Sequence, residues 1–227
     1  MCVYIFFSEA ILSLTRDADV ATLIQVLRVL STAVESNRWN EFWDEAFFGR
    51  DCFADVVFMV LNSTNADLIL SAAQFIDMLM DHSMRLKIAL AERRLPLDPL
   101  FDAVRTTADD GNTLTCTVLI RAVYSLTTFE EGVQTLLQAA DNVISALDHA
   151  LSTIYKADCR VDAETLKVFL LILRIVKILA CNASTLNTGG EICRKISEHI
   201  SRSKETKNHE LFHRIHAELN ELMELVT

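Results

Sequence analysis

The sequence predicts an all-α chain made of stacked helical units, and three observations carry that prediction. Turn formers are scarce, with 5 Gly and 2 Pro in 227 residues, whereas a β-sandwich or barrel needs frequent punctuation. Apolar residues recur at i, i+3, i+4 and i+7, the spacing that puts side chains on one face of a helix. The quartets themselves recur, beginning at Val26, Ala72, Leu119 and Ile172, so successive copies lie 46, 47 and 53 residues apart. A period in the forties with two or three helices per copy marks a helical solenoid. A lone helical hairpin cannot hide its own apolar face, and stacking successive copies buries it.

The elements follow in order. Residues 1–16 form an N-terminal helix in which Ile5, Phe6, Ile11, Leu12 and Leu14 seek cover. The first copy spans 17–62, where Asp17 and Asp19 supply caps for a helix from Val20 to Glu35 with the quartet Val26, Val29, Leu30 and Ala33. Trp39 to Phe48 and Phe53 to Leu61 complete it. The second copy, 65–107, is the best formed: a helix from Asp67 to Met80 carries Ala72, Phe75, Ile76 and Leu79. Met84 to Arg94 makes a short helix, and Pro96 and Pro99 open another with Leu100, Phe101 and Val104.

The third copy, 109–155, starts at Asp109-Asp110-Gly111-Asn112 and has the quartet Leu119, Ala122, Val123 and Leu126. A cap at Thr127-Thr128 leads into a long segment from Glu130 to Tyr155. The fourth, 162–203, starts at Asp162 with Ile172, Ile175, Val176 and Leu179. Asn182 to Gly190, with its Gly-Gly pair, reads as a loop before a helix from Glu191 to Ser201. Residues 208–227 give an amphipathic closing helix with Leu211, Phe212, Ile215, Leu219 and Leu222, which caps the array or serves self-association. The run Val168 to Cys181 is strongly apolar but holds Arg174 and Lys177, so it reads as a core helix and no membrane span is expected.

The best copy, AAQFIDMLM followed by MRLKIALAERRLPLDPLFDAV, resembles the second helix and third-helix region of the armadillo repeat family. The copy at Leu119 to Leu151 is similar, with Ala-Ala-Asp-Asn where the family prefers Glu-x-Gly, and the first copy keeps Phe48-Gly49-Arg50 there. The resemblance implies a right-handed α-solenoid of about four repeats with a capping helical pair. It also implies non-enzymatic scaffold or adaptor work, in cytoskeletal, ciliary or trafficking complexes or, as the alternative, as a co-chaperone promoting nucleotide exchange. The family's peptide-binding members carry Trp and Asn ladders. The matching positions here hold Arg28 and Thr32, Gln74 and Met78, Arg121 and Ser125, Arg174 and Ile178, which leaves a nuclear-import receptor reading unsupported.

Charge narrows the partners. A net charge of −10, from 31 acidic and 21 basic residues, argues against the basic stripe that nucleic acid requires. If the last helix of each copy lines the groove, its outward positions include Asp55, Phe58, Asp98, Asp102, Asp148 and His149, with Arg105 as another off-plan residue. Such a face suits a basic segment, because complementary charge raises the on-rate and selects partners, although a charge pattern is by default an ordinary solvated face. Trp39 and Trp43 with the neighbouring phenylalanines are core or, if exposed, an anchor for an amphipathic helix.

Chemistry is sparse. His209-Glu210-Leu211-Phe212-His213 matches H-E-x-x-H, with His216 on much the same face. Where the extended motif needs Gly the chain has His216, and Glu218 and Glu221 come too soon to be a third ligand, so these histidines remain only weak metal candidates. No phosphate-binding loop or nucleophile elbow occurs, and the expectation is no enzyme and no cofactor. Six scattered cysteines without a C-x-x-C pair suggest buried reduced thiols in a cytoplasmic protein.

Overall fold

A computed structural model describes residues 19–36, 60–83, 86, 97–154, 162–180, 186–202 and 210–226. Among them the regular structure is entirely helical. The helices are α1 (Val20–Glu35), α2 (Ala66–His82), α3 (Asp98–Asp109), α4 (Thr113–Ser125), α5 (Glu130–Gln138), α6 (Ala140–Ile154), α7 (Ala163–Leu179), α8 (Leu186–Arg202) and α9 (Glu210–Val226), with a 3-10 turn at Leu126–Thr128.

Helix starts are set by side chains that accept from otherwise unpaired backbone N–H groups. Asp19 accepts from Thr22 N at 2.8 Å, Asn65 from Leu68 N at 3.0 Å, Asn112 from Thr115 N at 3.1 Å and Asp162 from Thr165 N at 2.8 Å. These bonds favour the ionised form, so the Thr22 and Thr165 amides hold the Asp19 and Asp162 carboxyls below their usual range. Pro99 sits in the first turn of α3, where its missing N–H costs nothing. Gly111 at φ 67° turns the chain between α3 and α4.

The helices form two rows. In one, α1 packs on α2, α2 on α4, α4 on α7 and α7 on α9. In the other, α3 packs on α6 and α6 on α8. The rows join through α3 with α4, α6 with α7, and α8 with both α7 and α9, enclosing one continuous apolar core. Three quartets lie fully inside it: Ala72, Phe75, Ile76 and Leu79; Leu119, Ala122, Val123 and Leu126; Ile172, Ile175, Val176 and Leu179. Among the described residues, Phe75, Phe101 and Phe169 are the largest fully buried side chains. The apolar run in α7 is buried because α4, α5, α6, α8 and α9 all pack on that helix, and no helix among the described residues is long and apolar enough to cross a membrane.

Several expectations are corrected. In α1 the buried residues are Leu27, Leu30 and Val34, while Val29 is 64 % exposed. Among the described helices α1 packs substantially on α2 alone, so its apolar stripe is narrow and turned by one residue. The segment from Glu130 is two helices broken at Ala139. Gly189 and Gly190 lie inside α8, which begins at Leu186. Gly189 is buried, and a Cβ there would stand 3.2 Å from Val176 Cγ1, so the glycine lets α8 approach α7.

Candidate functional site

The row of α3, α6 and α8 carries most of the acidic residues expected to face a partner, and its polar side chains are bonded across the helices. On α3, Asp98 accepts from Asn142 Nδ2 at 2.7 Å and Asp102 accepts from Arg105 Nη1 at 2.8 Å. Arg105 also donates to the Asn142 carbonyl at 2.9 Å and to the Asn142 side-chain oxygen. His149 on α6 lies 2.7 Å from Asp109 on α3. Asp148 on α6 receives Lys195 Nζ of α8 at 2.6 Å, and Lys195 also donates to Ser152 at 2.9 Å.

These bonds do not all matter equally. The Asp102 side chain is 60 % exposed, so its pair with Arg105 is screened and contributes little to stability. Asp148 and Lys195 are 28 % and 24 % exposed and join two helices, which makes their pair the better shielded one. Asp98, Asp102 and Asp109 keep exposed carboxylates beside the same α3 and α6 seam, with Asp141 exposed on α6. Asn142, Lys195 and Ser152 were not singled out from the sequence. Asn142 belongs to the Ala-Ala-Asp-Asn stretch that departs from the armadillo pattern, and that departure was its one signal.

The other row carries a polar pocket. Arg28, Ser31, Thr32 and Glu35 of α1, Ser71, Gln74 and Met78 of α2, and Arg121 of α4 surround a cavity of about 440 Å³. Arg121 donates from Nε to Asp77 Oδ2 at 2.5 Å, and Ser125 Oγ donates to Asp77 Oδ1 at 3.2 Å. Burial raises the Asp77 pKa above its usual value, against the pull of Arg121. Further along, Arg174 is covered: it donates to Glu218 of α9 at 3.2 Å and to the Tyr124 hydroxyl at 3.4 Å.

Asp55, Phe58, His209, Trp39 and Trp43 lie outside the described residues. His213 and His216 are exposed on α9, with the Phe212 ring 4.5 Å from that of His216. Among the described residues no group of three His, Cys, Asp or Glu side chains could hold a metal ion.

Residues 52–221 match the family described as the SAAL1 C-terminal domain. The Mus musculus protein named Protein SAAL1 is 25% identical over 151 residues, covering 59% of this chain and 32% of its own length. The chain thus spans about a third of that curated relative. Asp98, Asp102 and Asp148 fall inside the matched region, and Arg28 falls before it.

Proposed function

Because the chain belongs to the SAAL1 C-terminal domain family, we propose that it is a non-enzymatic interaction scaffold of that family. Its two rows are the layers of a right-handed armadillo-like solenoid of about four repeats, closed by α8 and α9. Work as an adaptor in a cytoskeletal, ciliary or trafficking complex fits this reading, and so does a cytoplasmic location, with Cys116 and Cys193 buried as free thiols.

The observation that supports the reading most is the α3 and α6 seam. There Asp98, Asp102, Asp109 and Asp148 stand along two packed helices, with Arg105 as the basic residue among them. The bonds through Asn142, Arg105 and Lys195 fix these carboxylates in place without neutralising them all. A preorganised acidic strip meets a basic partner segment at lower ordering cost.

Fluorescence anisotropy with a labelled peptide of alternating Arg and Gly tests this directly. Saturable binding that weakens with salt, and weakens further in Asp98→Ala/Asp102→Ala, is the expected result. Equal affinity of that variant and the wild type would remove the seam from the binding site.

A further inference from the structure

We propose that the pocket between α1, α2 and α4 binds the carboxylates of an acidic peptide segment, with Arg28, Gln74 and Arg121 as the contacting side chains. This site is separate from the acidic seam and extends the scaffold reading to a partner of opposite charge.

The inference rests on how the fold uses the arginines of this row. Arg174 donates to both Glu218 and Tyr124, and α9 packs over α7, so that end is closed. Among the described residues, Arg121 bonds through Nε alone. Its side chain is 51 % exposed, and among the described residues its terminal nitrogens have no hydrogen-bond partner. Arg28 is exposed and has no ion pair among the described residues. Both line the same cavity, with the exposed Gln74 of the intervening helix.

A guanidinium whose Nε is held by a buried carboxylate has a fixed plane. Its two outer N–H groups then form a preset fork that matches a carboxylate, as free-swinging lysines do not. Asp77 does this for Arg121, and Ser125 holds Asp77 from the other side. The Gln74 amide between the arginines offers both a donor and an acceptor to a peptide backbone. Glu35 lies seven residues after Arg28 on α1, about 10 Å along the helix axis. It therefore marks the far end of the pocket, where an amide N–H of the same segment would face it. The cavity, about 440 Å³, is of ligand-site size.

The test uses the full chain with isotope-labelled arginine and follows the side-chain Nε–Hε resonances. The probe is a blocked peptide of four Glu-Gly repeats, and the control has Lys in place of Glu. The Arg28 and Arg121 signals should move together and saturably with the Glu peptide only. Arg28→Gln, at an exposed position, should weaken that binding about tenfold, and Asp98→Asn/Asp102→Asn should leave it unchanged. Shifts of equal size at Arg194, outside the pocket, or with the Lys peptide, would show general charge pairing and overturn the proposal. Unmoved Arg28 and Arg121 signals, or wild-type affinity in Arg28→Gln, would overturn it as well. The anisotropy result for the Arg peptide is independent of all these outcomes.

Discussion

Arg121 on α4 reaches back to Asp77 on α2, placing Nε 2.5 Å from Oδ2 and tying neighbouring helices of one row together through a buried carboxylate. Burial raises the Asp77 pKa from 3.8, and Arg121 and Ser125 pull against it. The folded state therefore holds the Asp77 proton more tightly than the unfolded chain does. The stabilisation this gives is complete below the unfolded value and is lost as pH rises through the folded one, opposite in sign to the usual salt-bridged aspartate. Urea titrations of wild type and Asp77→Asn between about pH 3 and 7 should show the wild type's relative stability falling with pH. A relative stability that climbs over that window would contradict the burial argument.

The same pair predicts non-additivity. Arg121→Ala leaves a buried carboxylate without its cation and should cost about 1–3 kcal/mol at neutral pH. In an Asp77→Asn background the same change removes only a half-exposed side chain and should cost clearly less. Equal costs in both backgrounds would mean that the two residues do not interact.

Glu218 fastens the last helix. It accepts from Arg174 at 3.2 Å and from Lys177 at 3.3 Å, while Glu221 also accepts from Lys177. The Glu218 side chain is 18 % exposed, so these bonds are partly shielded from salt. Glu218→Ala should cost about 1 kcal/mol and speed amide exchange in α9 before it affects α4. Uniform exchange changes across the chain would show that α9 is not a separately opening unit.

The parts of this fold that were legible in the sequence are those governed by local rules. The quartets at Ala72, Leu119 and Ile172 are buried as their spacing requires, because helices covered on both sides have no choice of face. Val26 misled by one residue because, among the described helices, α1 packs mainly on one neighbour, and Val29 faces out. Gly189 and Gly190 read as a loop because glycine weakens helices, and it is the close approach of α8 to Val176 that explains Gly189. The acidic seam was visible as Asp98, Asp102 and Asp148. Its partners Asn142 and Lys195 lie 44 and 47 residues away from Asp98 and Asp148, a separation that no local pattern encodes. Five pocket residues, Arg28, Thr32, Gln74, Met78 and Arg121, stand at the positions matched to the armadillo ladders, but the cavity they line exists only where three helices meet.

Two glycines should respond differently to alanine. At Gly111 nothing lies within 4 Å of an added Cβ, so the cost is the left-handed backbone alone, about 1–2 kcal/mol. At Gly132 the Cβ would strike the Leu126 carbonyl and come 2.8 Å from Phe129 Cζ, forcing α5 away from the 3-10 turn. Gly132→Ala should therefore cost about 1–3 kcal/mol through overpacking. Chemical denaturation separates the cases further: Gly111→Asn should recover part of the Ala loss, since asparagine tolerates that conformation, and Gly132→Ser should recover none. Full recovery by Gly132→Ser would refute the steric account.

The buried thiols give a kinetic prediction. Burial pushes the Cys116 thiol up to about 12 and the Cys193 thiol up to about 11. Near pH 8 the thiolate fractions are then about one in ten thousand and one in a thousand, and the thiolate is the reactive form. Both residues are at most 1% exposed, so reagent must also wait for the helices to part. With Cys2, Cys52, Cys159 and Cys181 replaced by serine, native protein should react with an aromatic disulfide reagent only slowly. The rate should rise in parallel with unfolding as denaturant is added, and both thiols should titrate once the chain is unfolded. Rapid stoichiometric labelling of either cysteine in the native state would show that α4 or α8 opens without the rest of the core.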